Sequence, residues 1–286
     1  MGIERVGVIG CGLMGSGIAE VCARAGLDVM VREVDAAAAE AGRQRLVTSL
    51  DRGVTAGKLT EPERDEALAR LSFTTAIDDL ADRQMVVEAV VEDEAMKVDI
   101  FRELDRVLVD DSAILASNTS SIPIMKLGTV TARPEQVIGV HFFNPVPVLR
   151  LVEIVTSLMT GPETTARAEA FATESLDKRV IRSQDRAGFV VNALLIPYLL
   201  SAIRMMESGF ATADDIDNGM VEGCNHPMGP LALTDLIGLD TTLRILETLH
   251  RENGDTASLP HPELRRLVAA GHLGRKTGRG FLEYAT

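Results

Sequence analysis

At 286 residues, 46% of them hydrophobic, the chain is long enough for one large or two modest domains around a sizeable core. A net charge of −13, the absence of Trp and only 3% aromatic residues exclude a general binder of nucleic acid or of anionic membranes. The three cysteines, Cys11, Cys22 and Cys224, lack metal-ligand spacing, so the expectation is a reduced, cytoplasmic protein with no metal site.

No apolar run approaches the length of a membrane span, and the first strand begins by about residue 5, which leaves no room for a cleavable leader. Residues 3–10, IERVGVIG, read as a short buried strand. A glycine turn follows, then a helix from about Met14 to Ala25 closed by Gly26, then a second strand, LDVMV. This order is a βαβ unit and implies a parallel sheet. Asp35, read as an N-cap, starts a long helix to about Arg52, and Thr60-Glu-Pro-Glu caps another with Pro62 in its first turn.

Met85–Val91 has the unbroken apolar character of a buried strand and leads into a helix predicted over Glu92–Val109, with Glu92, Asp93 and Glu94 at its positive end. Ala113–Ser117, Val137–His141, Leu151–Val155 and Arg179–Arg182 read as further strands. From Asn192 onward helical stretches follow one another, with no convincing strand before the tail. The expected architecture is therefore a doubly wound, mostly parallel α/β domain of Rossmann type over 1–185, followed by a smaller all-α domain over 186–286.

Gly10-Cys11-Gly12-Leu13-Met14-Gly15 fits G-x-G-x-x-G between a predicted strand and a predicted helix. Gly10 permits the tight turn, Gly12 lets backbone approach a pyrophosphate, and Gly15 allows close helix–strand packing. The loop, Leu13 and Met14 included, is read as the phosphate cradle of a dinucleotide at a helix N-terminus. Glu33 ends the next strand, where a carboxylate accepts hydrogen bonds from ribose hydroxyls and repels a 2′-phosphate; this predicts NAD rather than NADP. Two residues qualify this: neighbouring Arg32 is able to meet a phosphate, and Asp35 is the rival for the acidic role, although it is read here as the N-cap.

Two polar groups stand at predicted strand ends. Ser117-Asn118-Thr119-Ser120-Ser121 lies where open α/β sheets bind ligands, and an ordinary capped polar loop is the competing reading. His141 precedes Glu153 by twelve residues across a Pro-broken loop. A histidine titrates near neutrality and a carboxylate behind it can fix its tautomer, a pair suited to moving an alcohol proton beside a nicotinamide. On the residues alone, the competing readings are a satisfied, partly buried histidine and a surface carboxylate on a strand edge.

The segments VIGCGLMGSGIAEVCARAG, VVEAVVED with Lys97, SNTSSIPI, GVHFFNPVPVLRLVEIV, AGFVVNALLIPYLLSAIRMMESG, HPMGPLALTDLIGLDT and GRKTGRGFLEY occur in this order over almost the whole chain. Together they resemble the short-chain L-3-hydroxyacyl-CoA dehydrogenases, in particular the bacterial 3-hydroxybutyryl-CoA dehydrogenases. The resemblance implies an NAD-dependent oxidation of a 3-hydroxyacyl-CoA thioester in which His141 takes the hydroxyl proton, Glu153 holds the imidazole, and Ser120 and Asn192 bind the reacting oxygen or the thioester. Asn192 as a simple helix cap is the competing reading.

The resemblance further implies that Glu92, Lys97, Ser120 and Asn144 meet the cofactor and that Ser49 and, less securely placed, Lys58 hold coenzyme A. Against this, Lys97 reads equally as an exposed helical lysine, His226 reads as a turn residue, and Arg275, Lys276 and Arg279 as either a cofactor-facing patch or a solvated tail. A homodimer formed through the helical domain is expected, supported by Leu194, Leu195, Leu199, Ile203 and Met206 on one wide apolar face. The alternatives are an enzyme for 3-hydroxyadipyl-CoA or another 3-hydroxyacid, and a non-catalytic dinucleotide-binding protein.

Overall fold

A computed structural model describes residues 2–254 and 258–284. The chain divides into two compact units, Met1–Arg186 and Ala187–Thr286. In the first, β1 (Arg5–Ile9), α1 (Leu13–Arg24) and β2 (Asp28–Arg32) form the βαβ unit, and β1 and β2 pair in parallel. Gly26, at φ +87°, takes the left-handed turn that stops α1. The hairpin of α2 (Ala36–Thr55) and α3 (Glu61–Ala69) follows. Asp35 caps α2 by accepting the Ala38 N–H at 2.8 Å, and Thr60 with Glu63 forms a reciprocal capping box on α3.

The chain then adds β3 (Leu71–Thr74), β4 (Met85–Glu88), α4 (Glu94–Val107), β5 (Ile114–Ser117), α5 (Ile124–Gly128), β6 (Val137–Phe142), β7 (Leu151–Thr156), α6 (Pro162–Ala170) and β8 (Arg179–Gln184). One eight-stranded sheet results, in the order β3-β2-β1-β4-β5-β6-β7-β8. Strands β1 to β6 run parallel; β7 is antiparallel to β6, which its eight-residue connection allows, and β8 is parallel to β7. Val6, Val8, Val29, Val31, Val87, Ile114, Ile138 and Val140 are completely buried, as a sheet covered on both faces requires.

Two expectations need correction. β3 is a strand beyond those the sequence pattern marks: its LSFT sequence is short, mixes polar with apolar residues and is half-buried throughout, because it forms the sheet edge. Helix α4 starts at Glu94 rather than Glu92, because Asp93 takes the cap by accepting the Met96 N–H at 2.8 Å while the Glu92 side chain turns to a different task.

The second unit holds α7 (Val191–Glu207), α8 (Ala213–Cys224), α9 (Pro230–Ile237), α10 (Leu239–Asn253) and α11 (Pro262–Ala269) around Ile196, Leu199, Leu200, Ile203, Leu231, Leu246 and Leu264. Leu199 and Ile203 thus serve the unit's own core, while Leu194 is 72% exposed. The tail folds back on buried Asp235, whose carboxylate accepts from Phe281 N, Leu282 N and the Tyr284 hydroxyl, each at 2.9 Å. A Cβ on Gly280 would lie 2.0 Å from that carboxylate, so only glycine fits. Lys276 pairs with Asp240, and Arg275 lies over the Tyr284 ring, so these cations are spent within the unit rather than left in a solvated tail.

Candidate active site

The sheet order reverses at β1, with β2 and β3 wound to one side and β4 to β6 to the other, and ligands of open α/β sheets bind at such a point beyond the strands' carboxyl ends. Gly10 leaves β1 at φ +87°, and a Cβ on it would strike the Ala89 carbonyl at 2.9 Å. A Cβ on Gly15 would lie 1.7 Å from the Gly10 oxygen, which fixes how closely α1 sits on the loop. Gly12 has nothing within 4 Å of its Cβ position and is exposed. It is also the N-cap of α1, with no side chain capping the helix and no acid in its first turn. Leu13 beside it is 67% exposed and Met14 half-buried. An uncapped, positively polarised helix end facing open space fits a pyrophosphate.

Glu33 follows β2 directly. Its carboxylate accepts the Cys11 N–H on one oxygen and the Val34 N–H at 3.2 Å on the other, so it borders the glycine loop where an adenosine ribose would come. Burial, with the Glu33 charge adding to it, pushes the Cys11 thiol up to about 12.

At the same end of the sheet, His141 on β6 and Glu153 on β7 are directly opposite partners in the antiparallel register. Residues so paired project to the same face, which is how two residues twelve apart in sequence come into contact. The His141 Nδ1 and a Glu153 carboxylate oxygen are 2.7 Å apart, and both residues are buried, Glu153 completely. A carboxylate only accepts, so the proton of the neutral ring sits on Nδ1, and Nε2 is the basic nitrogen. The Phe143 ring leans against the imidazole with centroids 4.6 Å apart. The edge-strand reading of Glu153 is thereby removed.

Ser120 is half-buried in the turn after β5. Glu92 reaches back to this turn: one oxygen accepts from the Thr119 hydroxyl, from Ser120 N at 3.1 Å and from the Ser121 hydroxyl at 3.0 Å. Burial alone would raise the Glu92 carboxyl, but the Lys97 charge and the hydrogen bonds from Thr119, Lys97 and Ser121 outweigh it and hold it below the usual carboxylate value. Lys97 is 1% exposed, not an outward-facing helical lysine; its three N–H groups face Glu88 Oε1 at 2.7 Å, Glu88 Oε2 at 2.9 Å and Glu92 Oε2 at 3.1 Å.

Asn144 is exposed in the β6–β7 loop, before a cis peptide to Pro145. Lys178 pins this loop, donating to the Val146 and Leu149 carbonyls at 2.6 and 2.7 Å. Ser49 is half-buried on α2; exposed Lys58 lines a cavity of about 530 Å³ that also carries Arg24, Arg70, Arg150 and Lys178 against Glu63, Glu66 and Asp177. In the second unit Asn192 lies one residue inside α7, with Val190 at the N-cap, so it is not a cap. His226 follows the left-handed Asn225 that ends α8, with Tyr198 OH 3.4 Å from its Nδ1. Among the described residues no cluster of His, Cys, Asp or Glu could hold a metal ion.

Ser117 stands in the polar group marked from the sequence at the end of β5, whereas Glu88 and Lys178 were not marked. For Glu88 a signal existed, a carboxylate inside the otherwise apolar run of Met85–Val91, where a charge is costly unless paired.

A glycine loop open to a pyrophosphate beside β1 and α1, and a buried His–carboxylate pair on β6 and β7 at the same end of the sheet, together fit a dinucleotide-dependent oxidoreductase. Residues 5–186 match the family described as "3-hydroxyacyl-CoA dehydrogenase, NAD binding domain" and residues 188–284 its "C-terminal domain". The chain is 60% identical over 282 residues to a 3-hydroxybutyryl-CoA dehydrogenase of Mycobacterium tuberculosis, covering 99% of both chains. It is 45% identical over 284 residues to a probable 3-hydroxybutyryl-CoA dehydrogenase of Bacillus subtilis, covering 99% of this chain and 98% of that protein. Among solved structures, M. tuberculosis FadB2 superposes with a TM-score of 0.98 at 59% identity over 100% of both chains. The (S)-3-hydroxybutyryl-CoA dehydrogenase PaaH1 of Ralstonia eutropha gives 0.93 at 45% identity, covering 99% and 100%. The chain belongs to the 3-hydroxyacyl-CoA dehydrogenase family and begins with that family's NAD-binding domain.

Proposed function

We propose that the chain interconverts (S)-3-hydroxyacyl-CoA and 3-ketoacyl-CoA with NAD, and that its substrates are short, 3-hydroxybutyryl-CoA and acetoacetyl-CoA. The observation that carries this is the buried His141–Glu153 contact of 2.7 Å in a chain of this family. Bound NAD would supply the hydride acceptor, held by the glycine loop at its phosphates and by Glu33 at its adenosine ribose. His141 Nε2 takes the proton of the 3-hydroxyl in oxidation and returns it to the ketone oxygen in reduction. Glu153 keeps Nδ1 protonated and stabilises the imidazolium, as the carboxylate of a hydrolase triad does.

Ser120 donates to the substrate oxygen and restrains its pose, and Asn192 is a second donor on the strength of the family resemblance alone. Glu92 and Lys97 act at the cofactor end of the site, and Asn144 lines it from the β6–β7 loop. Ser49 and Lys58 are placed at coenzyme A, where the mainly cationic cavity beside Lys58 suits phosphates.

A homodimer is part of the proposal, supported by exposed Leu194, Met205, Phe210 and Leu236 on the second unit. So is a cytoplasmic setting, supported by the three free cysteines and the bacterial relatives; no described helix is long and apolar enough to cross a membrane. Purified protein given NADH and acetoacetyl-CoA should consume both, seen as falling NADH absorbance. Absence of turnover at every acyl length refutes the activity, and faster turnover of long-chain or dicarboxylyl thioesters refutes the short-chain assignment.

A further inference from the structure

Glu88 has no part in the chemistry above, yet it is a completely buried carboxylate at the carboxyl end of β4, in register with Ile9 of β1 on one side and Ser117 of β5 on the other. A charge so placed is costly unless paired and hydrogen-bonded. Its oxygens take two N–H groups of Lys97, the Val90 N–H at 2.7 Å and the Ser117 hydroxyl at 2.7 Å. From these partners two lines run into the turn that carries Ser120. Ser117 Oγ accepts the Thr119 N–H at 3.1 Å. The third Lys97 N–H fixes Glu92, which holds Thr119, Ser120 and Ser121. Asn118 closes the turn from the other side: its N–H donates to the Glu88 carbonyl at 2.8 Å, and its side-chain oxygen accepts the N–H of Phe142, the neighbour of His141, at 2.8 Å.

Every residue from Ser117 to Ser121 is thus tied to Glu88 or Glu92, and Lys97 ties those two carboxylates together. Beyond Ser117 the turn has no helix or strand of its own to satisfy its backbone: Glu92 takes the Ser120 N–H, Ser117 Oγ takes that of Thr119, and Thr119 Oγ1 takes those of Ser121 and Ile122, so the two hydroxyls that Glu88 and Glu92 hold in turn hold the backbone. An apolar pair would fill the space under β4 at no greater cost, but it would supply no acceptors.

We propose that Glu88 and Ser117 are positioning residues: through Lys97 and Glu92 they fix the turn that presents the Ser120 hydroxyl to the reacting oxygen, without touching substrate themselves. This rests on the placement of Ser120 at the reaction centre. The test is a double-mutant cycle with amide hydrogen exchange beside it. Glu88→Gln should lower kcat by about 10- to 100-fold, the scale of an ångström's misplacement, with KM for the thioester changing far less. In a Ser120→Ala background the same substitution should change kcat by less than about twofold, because the group it positions is gone.

Ser117→Ala, which removes one hydroxyl and leaves the buried ion pair whole, should repeat the pattern at smaller amplitude, and it keeps the test open should Glu88→Gln not fold. Without any ligand, either variant should expose the Thr119 and Ser120 amides to exchange at least about tenfold faster while the β1 and β5 amides keep their protection. Equal kcat losses in the two backgrounds, or turn amides that stay protected in Ser117→Ala, overturn the proposal while wild-type turnover still upholds the activity. A Ser120→Ala variant with wild-type kcat overturns it together with the role given to Ser120.

Discussion

Replacing Glu153 by Gln keeps the shape of the buried β6–β7 pair and removes its charge. The carboxylate oxygen lies 2.7 Å from His141 Nδ1, which puts the charge centres of imidazolium and carboxylate about 4 Å apart. At an effective dielectric constant of about 20, such a pair attracts by about 4 kcal/mol. Since about 1.4 kcal/mol is tenfold in rate, the loss of this attraction alone lowers kcat by at most about 10³-fold, and by about 10- to 1000-fold once whatever hydrogen bond the amide retains is allowed for. A second penalty acts in the same direction: the amide can rotate its NH₂ toward Nδ1, which places the ring proton on Nε2 and leaves no base for the hydroxyl. The assay is steady-state turnover in both directions, with circular dichroism and thermal unfolding to establish that the variant is folded. A folded Glu153→Gln enzyme within about threefold of the wild-type rate refutes the electrostatic role of Glu153.

Nicotinamide preference should follow Glu33, so NADH should outperform NADPH in kcat/KM, and Glu33→Ala should narrow the gap; a wild-type preference for NADPH contradicts the assignment. The depressed Glu92 carboxyl contributes stability that is whole above the ordinary carboxylate range and is lost as pH falls through its own lower value. Melting temperatures of wild type and Glu92→Gln should therefore converge on acidification below about pH 4.5, and parallel curves would show the carboxylate is not the source. Cys11 and Cys22 are buried, each with its thiol pushed up to about 12 by that burial, whereas Cys224 is exposed. A thiol reagent at mildly alkaline pH should titrate one thiol in the native protein and three in denaturant; rapid reaction of all three contradicts this packing.

The parts of the fold legible from sequence are those whose signal is local. Unbroken apolar runs marked the central strands because both sheet faces are covered, and Asp35 and Thr60 marked helix starts because their side chains cap locally. β3 was hidden because an edge strand needs neither alternation nor a long apolar run. At the site, the residue types at His141 and Glu153 suggested chemistry, but only the register of β6 and β7 brings them to 2.7 Å.

Lys97 illustrates the limit of local reasoning. Its neighbours on α4 give no hint that its partners lie on β4 and in the loop before the helix, so burial by a tertiary ion pair was not to be read from spacing. The contacts of Glu88 and Ser117 are non-local in the same sense, joining strand ends 29 residues apart. Spacing carried the phosphate cradle, since Gly10, Gly12 and Gly15 act within one turn of chain.

Everything proposed for this site turns on His141 moving the substrate proton in a dehydrogenase reaction on a 3-hydroxyacyl-CoA. The most direct measurement follows NADH consumption with acetoacetyl-CoA by wild type and His141→Ala side by side under saturating conditions. If His141 has this role, wild type turns over measurably and the variant loses about 10²- to 10⁴-fold in kcat while still folded and still binding NADH. A folded variant that turns over near the wild-type rate would contradict it.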